Sequence, residues 1–181
     1  MLMQPVSIYT KLYHSPCGDL ILGETGCRLC LCNWINEKHP GMVERRLQRL
    51  LNARFVETEG DVIAETARQL DEYFAGDRRK FDVPLILSGT TFQITVWKAL
   101  LQISYGTTVS YSELARNIDM PNAVRAVANA NGANAISIFV PCHRVIGNDG
   151  SLTGYAGGLE AKSYLISFEQ SFPQHFPKIP L

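Results

Sequence analysis

In VPCHRVIG, Val140 to Gly147, a proline sets a cysteine directly against a histidine, at the end of an apolar run and ahead of a glycine. A thiol becomes a nucleophile at neutral pH when its pKa is depressed or a base lies within reach. Packing is the competing reading, because free cysteine is among the most buried residue types and behaves as a small hydrophobe. Pro141 removes a ladder donor and restricts Val140, so the chain is expected to turn there and fix Cys142 and His143 at the end of a buried segment. Adjacent residues of a strand face opposite ways. His143 can therefore serve Cys142 only if the backbone is helical at that point, or through a water. A histidine base also needs a partner that holds its tautomer. In GLEAKSYLISFEQ the residues Ala161, Tyr164, Leu165 and Phe168 form an apolar stripe, and Glu169 flanks it four residues after Leu165. A carboxylate half-turned toward an apolar face wants a buried partner, and His143 suits it. Further on, GYAGG places Tyr155 beside a small residue and two glycines, a backbone that a flat ligand can approach closely.

The elements that must hold these residues divide the chain in two. Val6 to Leu12, Leu20 to Gly23 and CRLCLCNWI, separated by HSPCGD and ETG, read as a three-stranded antiparallel meander. Two amphipathic helices follow, one carrying Val43, Leu47, Leu50 and Leu51, the other Ile63, Ala67, Leu70 and Phe74. GDRRKFDVPLILSG breaks the periodicity. The expected organisation is an N-terminal α/β domain over 1–80, a linker over 81–89, a mainly helical domain over 90–170 and a tail over 171–181 that carries no assignment.

In the second domain Phe92, Val96, Leu100 and Ile103 make one helical stripe, and Ser110 three residues before Glu113 is a capping box. After the turn IDMP comes a further helix, NAVRAVANANG, closed by Gly132. Two short helices joined by a turn outline a helix-turn-helix. On a helical wheel Val124, Val127, Ala128 and Asn131 pack inward, Asn122, Arg125 and Asn129 share the polar side, and Ala123, Ala126 and Ala130 lie between them. Small residues edged by one arginine let a duplex come close to the helix backbone, although alanine also simply favours helix.

Composition bounds what else the chain can be. Its 181 residues are 46% apolar, enough for a real core, with 17 basic and 17 acidic side chains. That balance argues against a strongly salt-driven nucleic-acid binder and leaves room for a local, lightly charged contact. No run reaches the roughly 18 apolar residues of a membrane span, and MLMQPVSIYT lacks the pattern of a signal peptide, so a cytoplasmic protein without membrane association is expected. Five cysteines with no secretory signal point to reduced thiols.

PCHRV at 141–145 with Asn134 before it, RAV at 125–127, GYAGG at 154–158 and the closing Phe168-Glu169 resemble the O6-alkylguanine-DNA alkyltransferases. The likeness covers the chain from about Thr90 and extends weakly upstream through HSPCGDL and LDEYFAG. It implies a ribonuclease-H-like N-terminal domain, a C-terminal domain with the helix-turn-helix, and irreversible transfer of the O6-alkyl group of guanine to a cysteine after base flipping, once per molecule and without a cofactor. The implied partner is double-stranded DNA containing O6-alkylguanine, bound by a monomer through the minor groove. Position by position, Cys142 would accept the alkyl group, His143 would be the base through a bridging water, and Glu169 would orient it. Asn134 would brace the turn, and Tyr111 would hydrogen-bond the guanine and help protonate the departing base. Arg125 would replace the flipped nucleotide, on a helix presenting Ala123, Ala126 and Ala130. Val145, Tyr155, Ala156 and Gly157 would line the guanine pocket. Ala156 stands where some members carry serine, so a hydroxyl contact to O6 is missing.

Some members bind a structural zinc, and Cys27, Cys30 and Cys32 raise the question. On one strand Cys27 faces away from the other two, so no metal is expected. Two readings compete with repair. A lesion-binding module without chemistry would lack Cys142. A Cys-His hydrolase would leave the helix-turn-helix and Arg125 without a role and would turn over repeatedly.

Overall fold

The structure is a computed structural model that describes residues 5–37 and 40–172; residues 173–181, most of the unassigned tail, lie outside the described residues. Between Val6 and Trp34 the chain forms β1 (Val6–Ser15), β2 (Gly18–Thr25) and β3 (Arg28–Trp34), each antiparallel to the last, with β1 alternating loosely in burial and β3 buried on both faces from Leu29 on. The β2–β3 turn is Gly26-Cys27, with φ of 54° and 58°, the geometry whose twist matches its strands. Cys27 thus belongs to an exposed turn, while Cys30 and Cys32 are buried on β3.

The sheet has four strands and is mixed, which corrects the expectation of three antiparallel ones. After α1 (Met42–Leu51), β4 (Ala53–Glu57) returns to the free edge of β1 and pairs parallel to it, giving the order β3-β2-β1-β4. ARFVE has two large apolar residues between two helical stripes, too short a segment for alternation to register. Next, α2 (Asp61–Phe74) packs across β1 to β3. Its buried line is Ile63, Thr66, Gln69, Leu70 and Tyr73, so the inward face is turned from the apolar stripe toward polar residues.

The outer edge of β3 is filled by segments far along the chain. Leu29 N donates to Pro84 O and Ile86 N to Leu29 O, both at 2.9 Å. Three residues on, Cys32 N donates to Ala135 O at 2.9 Å and Ser137 N to Cys32 O at 2.7 Å. The stretch leading into VPCHRV is therefore registered on the N-terminal sheet.

The second half contains α3 (Thr91–Leu100), α4 (Tyr111–Asn117), α5 (Val124–Gly132) and α6 (Gly158–Ser171). Ser110 and Glu113 form the expected capping box, with Glu113 N donating to Ser110 Oγ at 3.1 Å and Ser110 N to Glu113 Oε2 at 2.6 Å. Two-residue strands β5 (Val109–Ser110) and β6 (Val145–Ile146) pair in parallel and tie the start of α4 to the end of the cysteine motif. Among the described residues no helix is long and apolar enough to cross a membrane.

Candidate active site

Tight turns aim the cysteine. Cys142 N donates to Val140 O at 2.8 Å across Pro141, whose φ of −80° and ψ of 63° are those of an inverse γ-turn. Proline's ring already fixes φ near that value. Just before, buried Ile138 holds a φ of 71°, rare for a β-branched residue. Such strain persists where the surroundings over-determine it, and here Ser137 N and Ala135 O are both tied to Cys32. The chain then makes one 3-10 turn, Cys142–Arg144, so Cys142 and His143 are not thrown to opposite faces as they would be on a strand.

Cys142 is 4% exposed. The buried Asn134 amide donates to Val140 O at 2.9 Å and to Cys142 Sγ at 3.1 Å, while its Oδ1 accepts from Ile136 N at 3.0 Å. Asn131 Nδ2 adds a bond to Cys142 O at 3.4 Å. Burial pushes the thiol up, and the Asn134 hydrogen bond and the charge of Lys162 pull it back.

Behind the cysteine, His143 Nε2 lies 2.8 Å from Glu169 Oε1, both side chains wholly buried. Glu169 Oε1 also accepts from Arg144 Nη2 and from Tyr73 Oη, each at 2.9 Å. Its Oε2 accepts from Arg144 Nε at 2.8 Å and from Gly106 N at 3.0 Å. Burial alone would raise the Glu169 pKa, but hydrogen bonds and charge from His143 and Arg144 overrule it and hold the carboxyl well below the usual range. An ionised carboxylate only accepts, so Nε2 carries the proton and Nδ1 keeps its lone pair. Nδ1 is buried with no hydrogen-bond partner among the described residues. Burial lowers the His143 pKa against the upward pull of Glu169, which leaves a neutral imidazole able to take a proton.

Two further groups close the site. Lys162, wholly buried on α6, donates from Nζ to Thr153 O at 2.6 Å and lies 5.9 Å from the centre of the Tyr111 ring. Burial lowers this ammonium to about 8, opposed by the nearby Cys142. Tyr111 Oη donates to Thr153 O at 3.4 Å, at the wall of a cavity of about 580 Å³ that is lined also by Arg125, Ala128, Asn129 and Gly154. A second cavity, of about 440 Å³, shares Ala128, Asn129 and Gly154 and continues past Tyr155 and Ala156 to Arg46 on α1.

Family models for the ribonuclease-like and DNA-binding domains of 6-O-methylguanine DNA methyltransferase match residues 8–87 and 91–171. The methylated-DNA–protein-cysteine methyltransferase of Methanosarcina acetivorans is 43% identical over 164 residues, 91% of this chain and 99% of that protein. This chain belongs to the 6-O-methylguanine DNA methyltransferase family. The constitutive methyltransferase of Bacillus subtilis is 40% identical over 168 residues, 90% of this chain and 95% of that one. A crystal structure of Mycobacterium tuberculosis OGT in complex with DNA matches with a TM-score of 0.79 and 42% identity, covering 94% of this chain and 96% of that one.

In this methyltransferase fold Cys142, His143, Asn134 and Glu169 come together, and Tyr111 joins them through Lys162 and Thr153. Arg125 and Ala126 are exposed on α5, and Ala123 is its half-buried N-cap. Ala130 departs from the expected exposed row. It is 3% exposed, and its carbonyl accepts from Trp97 Nε1 at 2.8 Å, so it seals α5 against α3. Val145 is buried on β6, and Tyr155 packs edge-on to Trp34 with centroids 5.8 Å apart. Gly157 faces the same indole: a Cβ there would fall 2.5 Å from Trp34 Cδ2.

Sequence reasoning missed Arg144, Lys162 and Tyr73. Arg144 stood inside the quoted motif as an ordinary charge. Lys162 follows Ala161 and precedes Leu165 by three, so the buried stripe of α6 already contained it. Tyr73 had only its spacing of three from Leu70.

Proposed function

We propose that this protein repairs DNA by direct reversal, transferring the O6-alkyl group of a guanine in duplex DNA to Cys142, once per molecule and without a cofactor. The observation that carries the reading is the buried array around Cys142: an amide on Sγ, and a histidine whose Nε2 is held by an ionised carboxylate while Nδ1 stays free. It sits in a chain whose relatives at 40–43% identity are methylated-DNA–protein-cysteine methyltransferases.

His143 Nδ1 takes the Cys142 proton through a bridging water. Sγ attacks the alkyl carbon, the carbon–O6 bond breaks as the S–C bond forms, and Tyr111 helps protonate the departing guanine. Asn134 and Lys162 stabilise negative charge on sulfur before attack, offsetting the burial that opposes it. The product is a thioether, which water does not cleave, so the protein is consumed.

The stacked base is out of reach and must be flipped. Residues 111–132 act as a helix-turn-helix whose second helix lies along the minor groove. Exposed Arg125 fills the place of the flipped nucleotide, and Ala126 and Ala123 let the groove close on the helix. Tyr155 and Ala156 then wall the pocket. Small residues and a single arginine suit a repair protein that must read every sequence alike.

Intact-mass spectrometry after incubation with an oligonucleotide containing O6-methylguanine tests this. One methyl increment on the Cys142 peptide, saturating at one equivalent and absent in Cys142→Ala although that variant still binds duplex, is expected. Tight binding by the unaltered protein with no increment overturns the reading in favour of lesion sensing.

A further inference from the structure

Among the described residues Glu169 receives five hydrogen bonds, and four come from the C-terminal half of the chain: one from His143, two from Arg144 and one from Gly106. The fifth comes from the other half. Tyr73, near the end of α2 and wholly buried, donates from Oη to Glu169 Oε1 at 2.9 Å, the oxygen that holds His143. Its ring is wedged among Phe74, Phe81, Tyr105 and Phe168 at centroid distances of 5.0 to 6.1 Å, so the hydroxyl cannot swing away without moving the packing between α2 and α6.

Resting on the function proposed above, we infer that Tyr73 is a positioning residue for alkyl transfer: through Glu169, the N-terminal domain holds the His143–Glu169 pair in the state that leaves Nδ1 free to accept a proton. The reason is competition for one acceptor. Each donor on Oε1 withdraws electron density from it and weakens its pull on the His143 proton. With the Tyr73 hydroxyl in place the carboxylate orients the imidazole while stopping short of drawing it into the imidazolium state. The groups that bear on His143 besides Glu169 are Arg144 on its own turn, Lys162 on α6 and the neighbouring Cys142, with the rings of Tyr155 nearby and Tyr105 beside Glu169. Arg144 and Lys162 push His143 toward the neutral form, as the hydroxyl does indirectly. Among the described donors to Glu169, Tyr73 is the one from the N-terminal half, so it couples the pair to the docking of that domain.

Tyr73→Phe keeps the ring and removes the donor, so the fold is preserved and the effect is read at His143. Nitrogen-15 NMR of the imidazole gives its tautomer and pKa without requiring any alkyl transfer. In Tyr73→Phe the His143 pKa is expected to rise by about 0.5 to 1 unit. The acid limb of the single-turnover transfer rate should move to higher pH by the same amount, with duplex binding unchanged. Combined with Glu169→Gln, the substitution should produce no further shift, because the hydroxyl acts through the carboxylate. An unmoved or lowered His143 pKa, or an equal shift in the Glu169→Gln background, overturns the proposal. A wild-type protein that transfers no methyl would sink the repair reading while leaving the NMR comparison interpretable.

Discussion

Two histidine–carboxylate pairs in this molecule have the same length and different consequences. His14 Nδ1 and Asp19 Oδ1, across the β1–β2 hairpin, lie 2.8 Å apart with side chains 75% and 46% exposed; His143 Nε2 and Glu169 Oε1 lie 2.8 Å apart with side chains 0% and 1% exposed. Water screens the first pair and offers each partner an alternative, so an exposed ion pair of this kind adds little. In the second pair burial takes both partners out of bulk solvent, and the carboxylate is satisfied by Arg144, Gly106 and Tyr73 as well. Distance alone does not distinguish a surface decoration from an orienting relay. Burial and the full donor set do.

Breaking the buried pair should have the largest effect. Glu169→Ala strands Arg144 and His143 without their acceptor and is expected to cost about 3–5 kcal/mol of stability by urea denaturation. It should also slow transfer to Cys142 by about 100-fold or more in single-turnover assays. A variant that transfers at the wild-type rate would mean the carboxylate only fills space.

Acid should sharpen the contrast next. Glu169 is depressed in the native state, so its contribution is present above the ordinary carboxylate range and is lost as pH falls through the native value. His143 is lowered by burial, so below its ordinary value of 6.5 the unfolded chain takes up a proton that the native chain resists. Both terms have the same sign. The urea midpoint should fall between pH 7 and pH 5 through His143 and fall further below pH 5 through Glu169, and in Glu169→Gln the part below pH 5 should flatten.

The smallest effect belongs to the exposed pair. His14→Gln should leave the urea midpoint at pH 7 and the transfer rate as in wild type. A measurable loss would show that the hairpin is less solvated than its exposure implies.

What was legible in the sequence followed periodicity and local chemistry. The β1–β3 meander, the Ser110 box, the turn at Pro141 and the pairing of His143 with Glu169 all rest on residue types at short spacing or on a single flank of one helix. What escaped was set by long-range register. β4 is a strand because β1 has a free edge, which five residues cannot announce. Ala130 is buried because Trp97 arrives from α3 to bond its carbonyl, and no wheel of α5 contains Trp97. Tyr73 reads as one more core aromatic until α6, 96 positions along the chain, delivers a carboxylate to its hydroxyl.

The filled edge of β3 sets an order of assembly. During synthesis the meander emerges first, with Leu29 and Cys32 offering bare backbone groups to any passing strand. Leu29 is covered once Pro84 to Ile86 follow, but Cys32 waits for Ala135 and Ser137. The N-terminal sheet therefore reaches its finished edge only when the chain has been made to within a few residues of Cys142. The last ladder bonds of the sheet are thus made by the segment that leads into the reactive turn.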